Sequence, residues 1–451
     1  MKRLMITLTA AVIAAFTASA QAAVSAEEAK LLGTTLTTFG AEVAGNKEGT
    51  IPPYTGGITA PPPGYVEGKY RPDPYAGEKP LFSIDAKNMD KYADKLSEGT
   101  KALMKKFPNT YRLDVYKTHR SVAYPKYVQE NQLKNAARCK TTNEGLSLSP
   151  ECYGGTPFPI PKDGYEVMWN HQVRFGGTSV VTEYETVYVD ATGKAVVVAV
   201  EKTQYEWPYY DPKKTSAEYS MMVRNEIRGP ARVAGERGIW LDPLDWAKTE
   251  RKIWQYLPGQ RRVRLTPDLA YDTPVPSRGG SQTMDDVQMF RGKMDRFDFK
   301  LVGKKELYIP SNNWRFLHHT TNEEVYAPNH INPDTLRWEL HRVWVVEATL
   351  KPGKRHVYQK RVFYIDEDSW SIVLSDQYDA ADKMYRAGMA FCAPMYEVPA
   401  PLCGEIFGHT DLMNGVYVVL GRPGKRGSLW TAPPLPAREW APDSLSGSGI
   451  R

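Results

Sequence analysis

The chain has 451 residues, with 58 Lys and Arg against 52 Asp and Glu and a formal net charge of +6. Hydrophobic residues make up 41% and charged residues 24%, which excludes a disordered, collagen-like or polytopic membrane chain. No run of Lys and Arg exceeds the pair Arg261-Arg262, so a nucleic-acid partner is not expected.

The first expected element is an export leader. Lys2 and Arg3 precede residues 4–20, which carry no charge, and Ala20-Gln21-Ala22 supplies a small-x-small cleavage site. The apolar run is short for a membrane span, which needs ~20 residues. Residues 1–22 therefore read as a cleaved signal peptide, with the mature chain starting near Ala23. No Cys follows the cleavage site, so no lipid anchor is expected there, and the simplest destination is a Gram-negative periplasm.

Residues 23–87 read as a helix followed by an extended arm. Ser25 to Glu28 has the form of a capping box, and Leu32, Leu36 and Phe39 continue at helical spacing to predict a helix over 26–39. Pro52, Pro53, Pro61, Pro62, Pro63, Pro72, Pro74 and Pro80 then rule out a long helix or a central strand. Residues 88–106 place Met89, Tyr92, Leu96 and Leu103 on one helical face, and Pro108 lies just beyond.

From about residue 112 the period changes to two. Long β-branched and aromatic runs at 165–175, 179–189, 195–207, 219–227, 251–257, 297–309, 336–350, 356–365 and 371–378 are separated by Gly, Pro, Asp and Asn turns. Residues 191–193 and 366–369 read as hairpin turns, and the second is expected to be solvated. The expected fold is mainly β: a large curved antiparallel sheet over 88–421, covered by helices. Residues 422–451 return to a Pro/Gly-rich, extended tail. Residues 195–200 are apolar on both faces, so that strand must be covered twice, by protein or by ligand.

Four Cys allow three pairings, and the short Gly/Pro-rich loops favour the local ones, Cys139 with Cys152 and Cys392 with Cys403. Structural disulfides suit an oxidising compartment. Catalytic signals are weak. None of the eight His falls in a zinc-protease motif, and no Ser sits in a nucleophile elbow. His318-His319 on a strand would point to opposite faces, and the Asp285-Asp286 pair reads as solvated. No catalytic residue, metal or cofactor is expected.

Four blocks carry a family resemblance. They are Gly40 to Asn46 with Gly49-Thr50-Ile51-Pro52; Gly155 to Pro161 with Trp169-Asn170-His171 and Arg174; Tyr256 to Arg264; and Trp344 to Ala348 with Lys360 to Tyr364 and Asp366 to Trp370. In these blocks the chain resembles the domain-of-unknown-function family numbered 1329, secreted Gram-negative proteins distantly similar to the LolA and LolB lipoprotein carriers. The resemblance implies an open half-barrel with an apolar concavity. It also implies work beside a resistance-nodulation-division type permease and an outer-membrane partner. The chain is far longer than those carriers and lacks the lipid-anchoring Cys of the LolB kind.

A carrier also has a physical rationale. Exposing sixteen lipid carbons to water costs about 13 kcal/mol, at ~0.8 kcal/mol per CH₂. The candidate lining residues for a hydrophobic ligand are Trp169, Val196, Val198, Trp254, Trp344, Val346 and Phe363, with Arg174, Arg262 and Arg361 as rim residues for a polar head group. The alternatives are a non-catalytic assembly partner of an outer-membrane protein, whose mark would be a filled sheet interior, and an envelope lipid hydrolase.

Overall fold

The computed structural model describes residues 24–267, 269–275, 280–424 and 430–447. The leader expected over 1–22 lies outside the described residues.

Two antiparallel meanders make the body. The first runs through β5 (Ser179–Val189), β6 (Ala195–Glu206), β7 (Tyr219–Gly229), β8 (Arg237–Pro243), β9 (Lys252–Leu257) and β10 (Arg262–Leu265). The second runs through β11 (Phe297–Pro310), β12 (Trp338–Leu350), β13 (Lys360–Asp366), β14 (Ile372–Tyr378), β15 (Met384–Ala390), β16 (Phe407–Asp411) and β17 (Tyr417–Arg422). Pairing of β17 with β5 joins them into one sheet, which ends at β10 on one side and is not closed into a barrel. Smaller strands precede them: β1 (Phe82–Ile84), β2 (Leu113–Val115), β3 (Thr141–Thr142) and β4 (Ser147–Leu148). Strand β2 pairs in parallel with β12, and β18 (Trp430–Thr431) adds to β5.

The hairpin at 191–193 forms as expected. Asp190 accepts from the backbone N–H of Thr192 and Lys194, and Gly193 takes φ +85, a region open to glycine.

The helices depart from expectation. The capping box of Ser25 and Glu28 forms, but α1 spans only Ala26–Ala29, and the chain then breaks at Gly33 with φ +79. Residues 88–106 divide into a 3₁₀ turn, Met89–Lys95, and α2, Glu98–Lys106, because Ser97 caps the second piece from a non-helical backbone. Helix α3 (Lys126–Arg138) starts after Pro125 in a run of good helix formers.

The expected strand at 165–175 is instead α4, Gly164–Gln172. Asp163 caps it by accepting from the N–H of Glu166. Residues Val167 to Gln172 are buried all round, so the segment shows no amphipathic period from which to recognise a helix. Gly164 is required by close packing, since a Cβ there would sit 2.4 Å from the Phe299 carbonyl oxygen.

Burial pushes the Glu166 carboxyl up from its ordinary 4.5 to about 7, although the Lys162 N–H donates to it. The unfolded chain loses this proton near pH 4.5 and the folded chain only near pH 7. The group therefore lowers stability increasingly as pH rises through that window. Glu166→Gln is expected to raise the melting temperature at pH 8, by up to about 3 kcal/mol of stability, and to change little at pH 4. Thermal melts at both pH values check this.

The arm is held at fixed points. Phe39, Ala41 and Ile51 enter the main core, and the Trp370 indole donates to the Phe39 carbonyl. Gly40 has φ +91, and a Cβ there would lie 1.7 Å from the Pro159 oxygen, so only glycine fits. Arg71 pairs with Glu397, and Tyr75 stacks on His119 at 3.9 Å. The tail is also seated: Trp440 and Leu445 pack with Ile239 and Leu241 in a second apolar cluster. Among the described residues, no helix is long and apolar enough to cross a membrane.

Both local disulfides are present, Cys139–Cys152 and Cys392–Cys403, closing separations of 13 and 11 residues. Replacing Cys139 and Cys152 together by Ser is expected to cost about 3 kcal/mol on the loop-closure scale, read by urea unfolding.

Candidate functional site

The core side of the first meander carries two adjacent rows of opposite character. Directly paired residues on neighbouring strands share a face. Val180, Tyr205, Val223, Trp240 and Ile253 pair in succession from β5 to β9 and form an apolar row. Thr182, Thr203, Asn225, Gly238 and Gln255 pair in the same way and form a polar row beside it. The ends of the apolar row are sealed, with Val180 and Ile253 at 0% exposure, but Tyr205 and Trp240 in its middle are only half-buried.

The polar row has a built node. The Tyr184 hydroxyl donates to Glu201 at 3.2 Å, the Asn225 amide donates to the same carboxylate at 3.3 Å, and Thr203 donates to Tyr184 at 3.4 Å. The Asn225 carbonyl oxygen is buried without a hydrogen-bond partner among the described residues. It sits over Gly238, where an added Cβ would approach it to 2.5 Å and the Trp240 indole nitrogen to 3.3 Å. A side chain at 238 would thus fill the space between the polar and apolar rows. An apolar surface with a few convergent polar groups is what an amphipathic ligand needs.

Coverage of this face is uneven. Helix α5 (Trp314–His318) and residues 402–406 close it over β5 and β6 around a cavity of about 10 Å³. Both ring nitrogens of His318 and one Glu405 oxygen are buried there without hydrogen-bond partners among the described residues, enough to hold a water. Burial holds the His318 ring well below the ordinary histidine range, so it is neutral. His318 and His319 end this short helix and do not lie on a strand; His319 contacts the Arg71 carbonyl at 2.8 Å. Larger cavities of about 290 and 320 Å³ lie elsewhere, one under the arm at Tyr75 and Arg337, the other beside the tail at Arg224 and Leu435.

The second meander is filled by its own side chains, and most of the expected lining residues are found in that packing. Trp169, Val346 and Phe363 are fully buried in the main core; Phe363 packs against Phe290 at 5.6 Å, and the Trp169 indole donates to Gly145. Trp344 stacks on Trp370 at 6.0 Å with the Lys304 ammonium over its ring. Val198 is buried beside a bulge between β5 and β6. Two positions require correction as members of one trough. Val196 is 38% exposed at the hairpin end of β6, and Trp254 packs on the opposite face under the tail, because its partner Ile239 points away from the core.

The acidic residues expected in solvent are buried. Asp285 and Asp286 meet Arg361 at 3.0 and 2.7 Å, with His356, Tyr358 and Gln377 completing the cage. Burial raises the Asp285 carboxyl, but the Arg361 guanidinium outweighs it and holds the group well below the usual range. Asp366, Glu367 and Asp368 at the β13–β14 turn are each no more than 4% exposed. Of the rim candidates, Arg174 is buried against Glu405 at 2.7 Å and Arg361 is fully buried, while Arg262 is exposed. The β5–β9 face, open only at its middle, was not legible from local pattern, because it depends on register across five strands; the spacing of Val180, Thr182 and Tyr184 was the available signal.

Such an architecture, one open sheet of two meanders with short helices against its face, defines the class of fold. Residues 83–446 match the family described as "Protein of unknown function (DUF1329)", and the chain belongs to that family. It is 41% identical over 405 residues to "Uncharacterized protein PA3922" of Pseudomonas aeruginosa, spanning 89% of this chain and 88% of that protein. Among solved structures, a putative outer membrane lipoprotein-sorting protein domain from Vibrio parahaemolyticus aligns with TM-score 0.44 and 13% identity, over 63% of this chain and 98% of that one. A DUF1329 family protein from Desulfovibrio piger aligns with TM-score 0.40 and 15% identity, over 61% and 93%. The LolA superfamily protein NE2245 of Nitrosomonas europaea gives 0.36 and 11%, over 63% and 100%. At these scores the likeness carries no inference about what this chain binds.

Proposed function

We propose that this protein is a non-catalytic periplasmic carrier for an amphipathic, lipid-like molecule, passed between an inner-membrane permease and an outer-membrane partner. The observation behind this reading is the apolar row Tyr205–Val223–Trp240, half-buried at Tyr205 and Trp240, beside the polar node at Glu201 and Asn225. The acyl part lies along the apolar row, and a head-group N–H or O–H donates to the buried Asn225 oxygen. The two disulfides suit the oxidising periplasm.

Protein purified from the periplasm should carry one lipid-like molecule, seen by native mass spectrometry and recovered by organic extraction. Gly238→Val should fill the space beside Asn225 and Trp240 and weaken binding of a fluorescent fatty-amide probe, whose N–H can donate to the Asn225 oxygen, by more than about tenfold, as a steric clash of ~1.4 kcal/mol or more requires. An empty wild-type protein that ignores the probe would sink the carrier reading. The filled second meander favours one alternative, a non-catalytic assembly partner of an outer-membrane protein, and that reading would then stand.

A further inference from the structure

A separate cluster lies at the β13–β14 turn, in the second meander. His341 on β12, Asp366 closing β13 and Asp368 in the turn each offer one ligand atom, and these atoms lie within 4.8 Å of one another. The three residues are 5%, 4% and 1% exposed.

Three details distinguish the cluster from an ordinary buried ion pair. His341 Nε2 faces Glu339 Oε2 at 3.2 Å, and Nδ1 faces Asp366 Oδ1 at 3.4 Å. The second distance is long for an N–H···O bond, which clusters near ~2.9 Å, and Asp366 Oδ1 has no hydrogen-bond partner among the described residues. Yet about 3.4 Å is the separation of two ligand atoms each bound at ~2.1 Å to one tetrahedral ion.

The surrounding groups are arranged as a supporting shell. Asp366 Oδ2 accepts from the N–H and hydroxyl of Ser369, which leaves Oδ1 aimed at the cluster. Arg120 donates to both Asp368 oxygens, at 2.9 and 2.6 Å, and fixes that carboxylate. A carboxylate on the far ring nitrogen, here Glu339, is the usual device for orienting a metal-bound histidine. A cavity of about 10 Å³ touches His341, Asp366 and Asp368, room for one water or one ion.

We propose that His341, Asp366 and Asp368 bind one divalent transition-metal ion, with zinc the best match to one imidazole and two carboxylates. The ion ties β12, β13 and their following turn to the segment around Arg120.

The test uses the full mature chain, stripped with a chelator and reloaded with zinc chloride. One zinc per chain should survive gel filtration, as read by elemental mass spectrometry, and the melting temperature should rise with zinc. Asp366→Asn and His341→Gln, checked for folding by circular dichroism, should each weaken zinc by more than about tenfold, the lower end of what even an outer-shell change costs. Cobalt(II) in the wild-type site should give the intense visible absorption of a tetrahedral ion, which decides the matter if either variant fails to fold. Wild-type protein that retains no zinc, variants that bind as well as wild type, or cobalt showing only its pale octahedral spectrum would each overturn the site. The result is independent of lipid binding, since the cluster shares no residue with the β5–β9 face.

Discussion

Arg361→Met is expected to lower folding stability by about 3–5 kcal/mol, the usual consequence of removing one partner from a buried ion pair. Arg361 is 0% exposed and is the guanidinium shared by Asp285 and Asp286. Both acids come from the crossing segment between the meanders, while Arg361 lies on β13, so the cage fastens that segment to the sheet. Without it, two carboxylates remain buried with His356, Tyr358, Gln377 and Thr283 as hydrogen-bond partners but no guanidinium bonded to them among the described residues. Urea unfolding at pH 7 measures the loss. The pH dependence has a definite sign. A carboxyl held below its unfolded value contributes stability above about pH 4, and that contribution disappears as the pH falls further. The difference between wild type and Arg361→Met should therefore shrink in acid. A variant as stable as wild type at pH 7 would show that the cage is not built as described.

Phe363→Ala is expected to cost about 3–5 kcal/mol, the range for truncating a buried aromatic ring into a packed core. Phe363 is 0% exposed and contacts Phe290 and the Arg361 guanidinium. The comparison is Val196→Ala, at a position 38% exposed, where a change within about ±0.5 kcal/mol is expected. Denaturation midpoints of the two variants measure both. Fatty-amide probe affinity should be unchanged in Val196→Ala. A Phe363→Ala protein of wild-type stability that had lost the probe would move the ligand into the second meander and away from Tyr205 and Trp240.

The long strands were legible because β-branched and aromatic runs with period two have few other uses. β6, β11, β12 and β14 lie within a few residues of the runs that mark them. The local pairing of Cys139 with Cys152 and of Cys392 with Cys403 was legible for a similar reason, since short loops favour near partners. Helix α4 was not, because a segment buried on every side keeps no polar face to reveal its period.

The acidic residues show the limit most clearly. In sequence, Asp366-Glu367-Asp368 reads as a solvated turn, since burying a charge is costly unless a partner neutralises it. The partner of Asp368 is Arg120, 248 positions away, and that of Asp285 is Arg361, 76 positions away. Local pattern determined that this chain makes a mainly antiparallel sheet with two disulfides, because strand alternation and short loops are properties of neighbouring residues. Tertiary structure alone decided which charges are buried, which face is filled and where Tyr205 and Trp240 stay partly open, because each depends on residues that meet only when the two meanders join.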